Sequence, residues 1–494
     1  MAEKTLEPVA GAPAQDGAEA AAGAHTLRRN RLTMPEVLAQ SVANAAPTAA
    51  MALLPLLVFV SAGNGTWLSF LIAILLMLCV GFCAAQFARR MNSAGSFYVW
   101  VARGLGPLGG HLAGWGLQLG YVATAVATIL GFAIFGNDFL SYFGVPANSR
   151  WVLGILMVVD LVVPTAVATL DMGISARTSL ILEGISICII LFLCVSIWVH
   201  KGTVLSMPQF TLTGVTPGGV LVGVVLSIFA FVGFESAGSL GLEAKNPYRA
   251  IGRAIMLSCV VVGVFYLIVS YSQVYGFAGT KPGFAAATAP LPQLAQIVGL
   301  RPLAPIISLG IVCSMFACTL ACINAAGRIA FAMAHDGLGV AAMQRTHRTR
   351  HTPHIALIAV AVLAFVVAII SDLGGVNLIN LTGWVGSVAA FGFMLAYILV
   401  CIAAPIWLAR QGHPWIVSAV VGVIGGVVMV IVFWSSWLPQ LIPGGLFPAL
   451  TGVAVWLPYV FFAWMAIGVV WYVAYRLINP EKAKQIGARF ESNT

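Results

Sequence analysis

The sequence predicts an all-α integral membrane protein, and three observations carry the prediction. Of its 494 residues, 60% are hydrophobic and only 8% are charged, against roughly 25% charged in a soluble domain. Apolar runs of the roughly 20 residues that span a bilayer as a helix recur about twelve times. Basic residues gather in alternate connections between those runs, as the positive-inside rule requires.

The expected spans are 36–61, 67–87, 109–142, 151–170, 176–199, 218–240, 251–277, 303–334, 355–370, 378–408, 415–433 and 451–477. In the first, Pro47 interrupts the helical hydrogen bonds within Asn44-Ala-Ala-Pro-Thr-Ala-Ala50. The break is either a simple proline kink or an unwound point whose half-helix N-terminus faces an anionic group. The third span carries Gly110/Gly114 and Gly116/Gly120, spacings that allow close helix contact. It also has a polar face of Gln118, Tyr121 and Thr124. The fourth and fifth hold one acid each, Asp160 and Glu183.

The sixth span is the most informative. Glu235 lies in a run otherwise apolar enough for lipid, where an ionised group is costly unless it faces a cavity or the bundle interior. Gly233, Gly238 and Gly241 weaken the helix beside it, and a charged turn, Glu243-Ala-Lys-Asn-Pro247, follows. A break here and at Pro47 would open the two halves of an inverted repeat at corresponding points, the pattern of a midplane transport site. Glu235 is read either as a proton-carrying acid or as a structural hydrogen-bond partner of a neighbouring helix. No Lys or Arg lies near the centre of any span to neutralise Asp160, Glu183 or Glu235. The eighth span offers Ser308, Ser314 and Thr319 but no adjacent Ser/Thr pair for sodium, so protons are the expected coupling ion. Trp67, Trp151, Trp198, Trp434 and Trp437 fall near span ends, where interfacial anchors belong.

With the N-terminus in the cytoplasm, 20 of the 24 basic residues fall inside. Only Arg150, Lys201, Lys281 and Arg301 lie outside. Both termini are therefore expected in the cytoplasm, with 1–32 a disordered tail, 33–478 the membrane domain and 479–494 a second tail. The net charge of +9 sits in short connections rather than on a basic helix or an aromatic-interleaved patch, which excludes a nucleic-acid partner. Residues 1–32 lack the apolar core of a cleaved signal. The nine cysteines form no CxxC pair. Cys79/Cys83 and Cys318/Cys322 share helix faces, but buried cysteines behave as small hydrophobes, and no metal, disulfide or cofactor is expected. The metalloprotease, P-loop and dinucleotide motifs are missing. Phe234-Glu-Ser-Ala-Gly238 departs from a nucleophile elbow in its first residue and in its helical setting. No enzyme is read here.

Three stretches resemble the amino acid–polyamine–organocation superfamily of transporters. One runs from Phe229 to Ile255, similar to that superfamily's sixth span and following loop. Another is Asn324-Ala-Ala-Gly-Arg-Ile-Ala-Phe-Ala-Met-Ala-His-Asp-Gly337 with Thr352-Pro353. The third is Arg89-Arg-Met-Asn-Ser-Ala-Gly-Ser-Phe-Tyr98 with Leu112-Ala-Gly-Trp115. The resemblance implies a leucine-transporter-like fold: a five-plus-five inverted repeat, about 36–199 and 218–408, with two extra C-terminal helices and broken first and sixth spans. It implies substrate binding between the broken spans, at Thr48, Ala49 and Ala50 and at Phe229, Ala230, Phe231 and Val232; Ala46 beside Pro47 is a further candidate from its position, as is Tyr121, whose polar face either lines a cavity or bonds a neighbouring helix. Carbonyls of Phe229 to Val232 would take a substrate amine and Phe229 would gate the site. Glu235 would be the proton-linked acid. Where some relatives carry a sodium-replacing lysine in the fifth span, this chain offers Glu183. The superfamily's Gly-Ser-Gly in the first span is Thr48-Ala49-Ala50 here, which questions carboxylate binding.

The expected function is secondary active transport of amino acids or related small amines across the inner membrane by alternating access, as a proton symporter or an exchanger. Sodium is the less favoured ion. The expected assembly is a monomer or homodimer in the lipid bilayer. An amine or polyamine carrier needing no substrate carboxylate is the alternative, and a transporter-like sensor or channel a remoter one.

Overall fold

The structure is a computed structural model describing residues 31–91, 95–146, 149–170, 172–281, 283–347, 350–374, 376–435, 452–484 and 486. Most of both expected tails and Trp437 lie outside the described residues. Arg31 and Leu32, included in the expected disordered tail, are ordered: both amides donate to the Glu243 carbonyl, and Lys245 N returns a bond to Leu32.

The described residues form helices. The first two expected spans are α1 (Met34–Ala45), α2 (Pro47–Ala62) and α3 (Thr66–Ala88). Then come α4 (Phe97–Leu105), α5 (Pro107–Ser141), α6 (Arg150–Leu170), α7 (Met172–Lys201), α8 (Met207–Phe210) and α9 (Pro217–Ala230). The second half holds α10 (Pro247–Phe277), α11 (Pro290–Ile297), α12 (Leu303–His335), α13 (His354–Leu373), α14 (Leu378–Arg410), α15 (Ile416–Ser435), α16 (Leu457–Ile478) and α17 (Pro480–Lys484). Nine stretches of the described residues are long and apolar enough to cross a membrane. One of them, Met34–Ala88, contains α1, α2 and α3, while Pro217–Ala230 and His354–Ile370 are shorter apolar helices.

Proline opens α2, α5, α9, α10 and α11, where its missing N–H costs nothing and its fixed φ suits the first turn. Thr33 and Glu36 form a capping box at α1, and the Asn377 side chain caps α14. The helices α4, α8 and α11 were not expected from hydropathy, because none is long enough to span. The sixth span also departs from expectation. Its α-helix stops at Ala230, and only a 3₁₀ segment, Ser236–Leu240, continues it.

The interior is built from α5, α12 and α14. The third-span glycines allow backbone contact there: a Cβ at Gly116 would sit 2.9 Å from the Gly392 carbonyl. The peripheral helices α6, α13, α15 and α16 expose Val162, Val362, Val420 and Val470. Such a continuous apolar surface suits lipid. Trp151 and Trp434 are exposed at helix ends.

Candidate functional site

Pro47 disfavours helical geometry in the residue before it. Ala46 accordingly adopts φ 43°, ψ 60°, a left-handed conformation costing an L-residue about 1–2 kcal/mol. There α1 ends and α2 restarts. In the sixth span, Phe231 to Glu235 form successive turns held by Phe231 N→Ile228 O (2.9 Å), Val232 N→Phe229 O (3.1 Å) and Phe234 N→Phe231 O (3.1 Å). Gly233, at φ 93°, allows the turn and leaves room for Asn44, whose Cγ would lie 2.6 Å from an added Cβ.

The two breaks are bonded to one another. The Tyr266 hydroxyl from α10 reaches the carbonyls of Ala45 (2.9 Å) and Ala230 (2.5 Å). Beyond them, Ser236 donates to the Gln40 carbonyl (3.2 Å) and Ala237 N donates to the Ser41 hydroxyl (3.1 Å).

A cavity of about 70 Å³ lies where the breaks meet. Ala46, Ala49 and Ala50 line one wall, and Phe229, Ala230 and Val232 another. Thr124 and Thr128 of α5 complete it. Ordinary ligand sites hold roughly 300–1,000 Å³, so this cavity is small for one. Phe229 is half-buried, and its ring lies over Gly386 of α14, where an added Cβ would come within 2.5 Å of it.

Other expected site residues lie behind the walls. Phe231 is fully buried, edge-on to Tyr266 at 4.8 Å. Thr48 is also buried. Its amide donates to Glu183 Oε1 (3.0 Å), and the next amide, Ala49 N, donates to the Ser314 hydroxyl (3.1 Å). The N-terminus of α2, expected to face an anion, is therefore already occupied by Glu183 and Ser314. Tyr121 lies outside the cavity lining and donates to Glu235 Oε1 (2.6 Å), while Tyr397 of α14 donates to Oε2 (2.7 Å). Glu235 is thus fully buried between two phenols, set back from the cavity. No local pattern points to Tyr397, which lies 162 residues away. Gln118 on the same polar face of α5 donates to the Ala326 carbonyl (2.8 Å).

At the end of the bundle carrying most of the basic residues, the three resembling stretches converge. Arg328 forms a forked, buried ion pair with Glu243, Nε–Oε2 2.8 Å and Nη2–Oε1 3.1 Å. Tyr98 of α4 donates to Asp336 Oδ2 (2.6 Å). Burial first, and then the Asp336 charge, push the Tyr98 phenol well above its usual range, so it stays a donor. Nearby, Arg177 pairs with Glu36 at 2.7 Å. These contacts tie α4, α12 and the loop after the sixth span to one another.

The amino acid permease family matches the chain over residues 36–486. Among its relatives, the branched-chain amino acid permease BcaP of Bacillus subtilis is 29% identical over 303 residues, covering 58% of this chain and 63% of its own. The cationic amino acid transporter 4 of Mus musculus is 27% identical over 58% of this chain and 46% of its own. The methylthioribose transporter of Bacillus subtilis is 27% identical over 58% and 63%. The chain thus spans less than two thirds of the length of these relatives. They are named as permeases and transporters, not enzymes. With its many apolar helices, the chain is a multi-pass membrane protein, and it belongs to the amino acid permease family.

Proposed function

We propose that this chain is a secondary active transporter of amino acids or related small amines, working by alternating access in the inner membrane. The observation that carries the reading is the convergence of two broken spans on one small cavity. Main-chain carbonyls in such breaks are fixed dipoles that can hold an ammonium group. In this reading the substrate amine lies against the carbonyls near Phe229 to Val232, and Phe229 closes over it. The spans form two five-helix inverted repeats within a twelve-span domain at 33–478, with α15 and α16 as the extra pair. Both termini lie in the cytoplasm, in keeping with the distribution of basic residues. The Arg328–Glu243 end then faces the cytoplasm.

Coupling is assigned to protons, with Glu235 as the carrier and Glu183 as a second acid. The two phenols stabilise the ionised form of Glu235 by hydrogen bonding, and its burial opposes that form. Opening the site would move Tyr121 and Tyr397 relative to Glu235 and so link the proton to the conformational step. The test is pH-driven uptake into proteoliposomes: Glu235→Gln, still folded, is expected to lose or uncouple it. An unchanged pH dependence would refute the role.

A specific observation favours a second reading. The amides of Thr48 and Ala49 are committed to Glu183 and Ser314, which leaves a substrate carboxylate without its expected partner. A carrier of simple amines would not need one. Competition of L-leucine, L-arginine and cadaverine for uptake separates the two: competition by cadaverine alone would overturn the amino acid reading.

A further inference from the structure

Asp160 lies within α6, fully buried, and at sequence level it has no identifiable partner. In the structure its Oδ2 accepts from the Thr319 hydroxyl of α12 (2.7 Å). Thr319 Oγ is 2.8 Å from Thr128 Oγ of α5. Thr128 in turn is within reach of the carbonyls of Thr124 (3.1 Å) and Ala125 (3.0 Å), and it lines the central cavity. Three helices thus supply a continuous row from a buried acid to the cavity wall.

From this row we infer that Asp160 is a further proton site, linked to substrate binding through Thr319 and Thr128. The inference rests on the transport reading above. Each hydroxyl has one hydrogen. When Asp160 is ionised, Thr319 gives its hydrogen to the carboxylate and accepts from Thr128, whose only hydrogen is then committed. When Asp160 is protonated, the carboxyl donates to Thr319, whose own hydrogen is released to Thr128 or to the Met315 carbonyl at 3.1 Å. The Thr128 hydrogen is then free for its own backbone carbonyls or for an acceptor in the cavity. A proton on Asp160 thereby turns Thr128 into a donor toward the substrate. By linkage, an acceptor-bearing substrate and the proton strengthen each other's binding by the same factor.

Several titratable groups on the helices packed against α6 are engaged elsewhere. On α5, Tyr121 bonds Glu235 and Asp138 accepts from Ser308. Glu183 on α7 holds Thr48. On α12, Cys318 and Cys322 bond Asn44, and Arg328 pairs with Glu243. His354 on α13 lies against His347. Among the described residues, the groups hydrogen-bonded to Asp160 reduce to Thr319.

Two measurements test the inference. The first needs no ligand: infrared difference spectra of the purified protein between pH 5 and 9. A carboxyl C=O band that disappears in Asp160→Asn and shifts in Thr128→Val, two hydrogen bonds away, is the expected result. No titrating band assignable to Asp160, or a band indifferent to Thr128→Val, overturns it. The second is calorimetric titration of L-leucine and L-arginine in buffers of different ionisation enthalpy. Protons taken up per bound ligand should fall by the same amount in Asp160→Asn and Thr128→Val. The Asn variant should bind at pH 8 as tightly as the wild type does at pH 5.5. Unchanged proton uptake in both variants refutes the linkage while leaving transport intact. Failure of both amino acids to bind the wild type counts against the amino acid reading instead, and the spectra then decide the proton site alone.

Discussion

Replacing Glu183 by alanine removes the acceptor that holds the first turn of α2. The lost bond, Thr48 N to Oε1 at 3.0 Å, is buried. A buried donor left unpaired costs about 1–3 kcal/mol. Loss of the carboxylate from a helix N-terminus adds about 0.3–2 kcal/mol in a water-poor setting. The sum is about 1.3–5 kcal/mol. Glu183→Gln keeps an oxygen for Thr48 and loses only the charge, so it should cost about 0.3–2 kcal/mol. The expected order of unfolding midpoints is wild type, then Gln, then Ala. Intrinsic fluorescence in detergent reads it, since the chain has 13 tryptophans. A half-helix with free amides also binds small anions. Acetate should therefore raise the midpoint of the Ala variant and leave the wild type unmoved. An Ala variant as stable as wild type, or one indifferent to acetate, would refute the assignment of Glu183 as the cap of α2.

Arg328→Met leaves Glu243 buried without its partner, a loss of about 3–5 kcal/mol, and Arg328→Met with Glu243→Leu should recover most of it; thermal unfolding of the single and double variants checks this. Gly233→Ala combines a positive φ with a Cβ placed against Asn44, so destabilisation above about 1 kcal/mol is expected from the backbone alone, read the same way. Gly386→Ala intrudes on the Phe229 ring, and uptake should fall at least several-fold with little change in melting, measured in proteoliposomes.

Hydropathy placed the long helices within a few residues of their observed ends, because a bilayer imposes length and polarity on each span separately. Pro47 announced the first break for an equally local reason. The sixth-span break was legible through Gly233, though the absence of a following α-helix was not. The partners of the acids were beyond reach. Glu183 meets Thr48 across 135 residues, and Asp160 meets Thr319 across 159. Nothing in either local pattern names the other, since such pairs are set by how helices lean on one another. The helix α4 escaped notice because Phe97 to Leu105 is too short to register as a span. Its purpose becomes visible only when Tyr98 is seen against Asp336.

The hydroxyl of Tyr266 holds one hydrogen and faces two carbonyls, those of Ala45 and Ala230, both of which line the cavity. One hydrogen cannot serve both oxygens fully. A fixed residue of negative partial charge is therefore left where the two breaks meet, carried by main chain that neither titrates nor swings away. Unlike a carboxylate, this charge is the same at every pH and survives the exchange of any side chain that leaves the two breaks intact. In the proposed reading, attraction for an amine is in that sense a property of the chain's path, which variation in the surrounding side chains would retune in size and shape without removing.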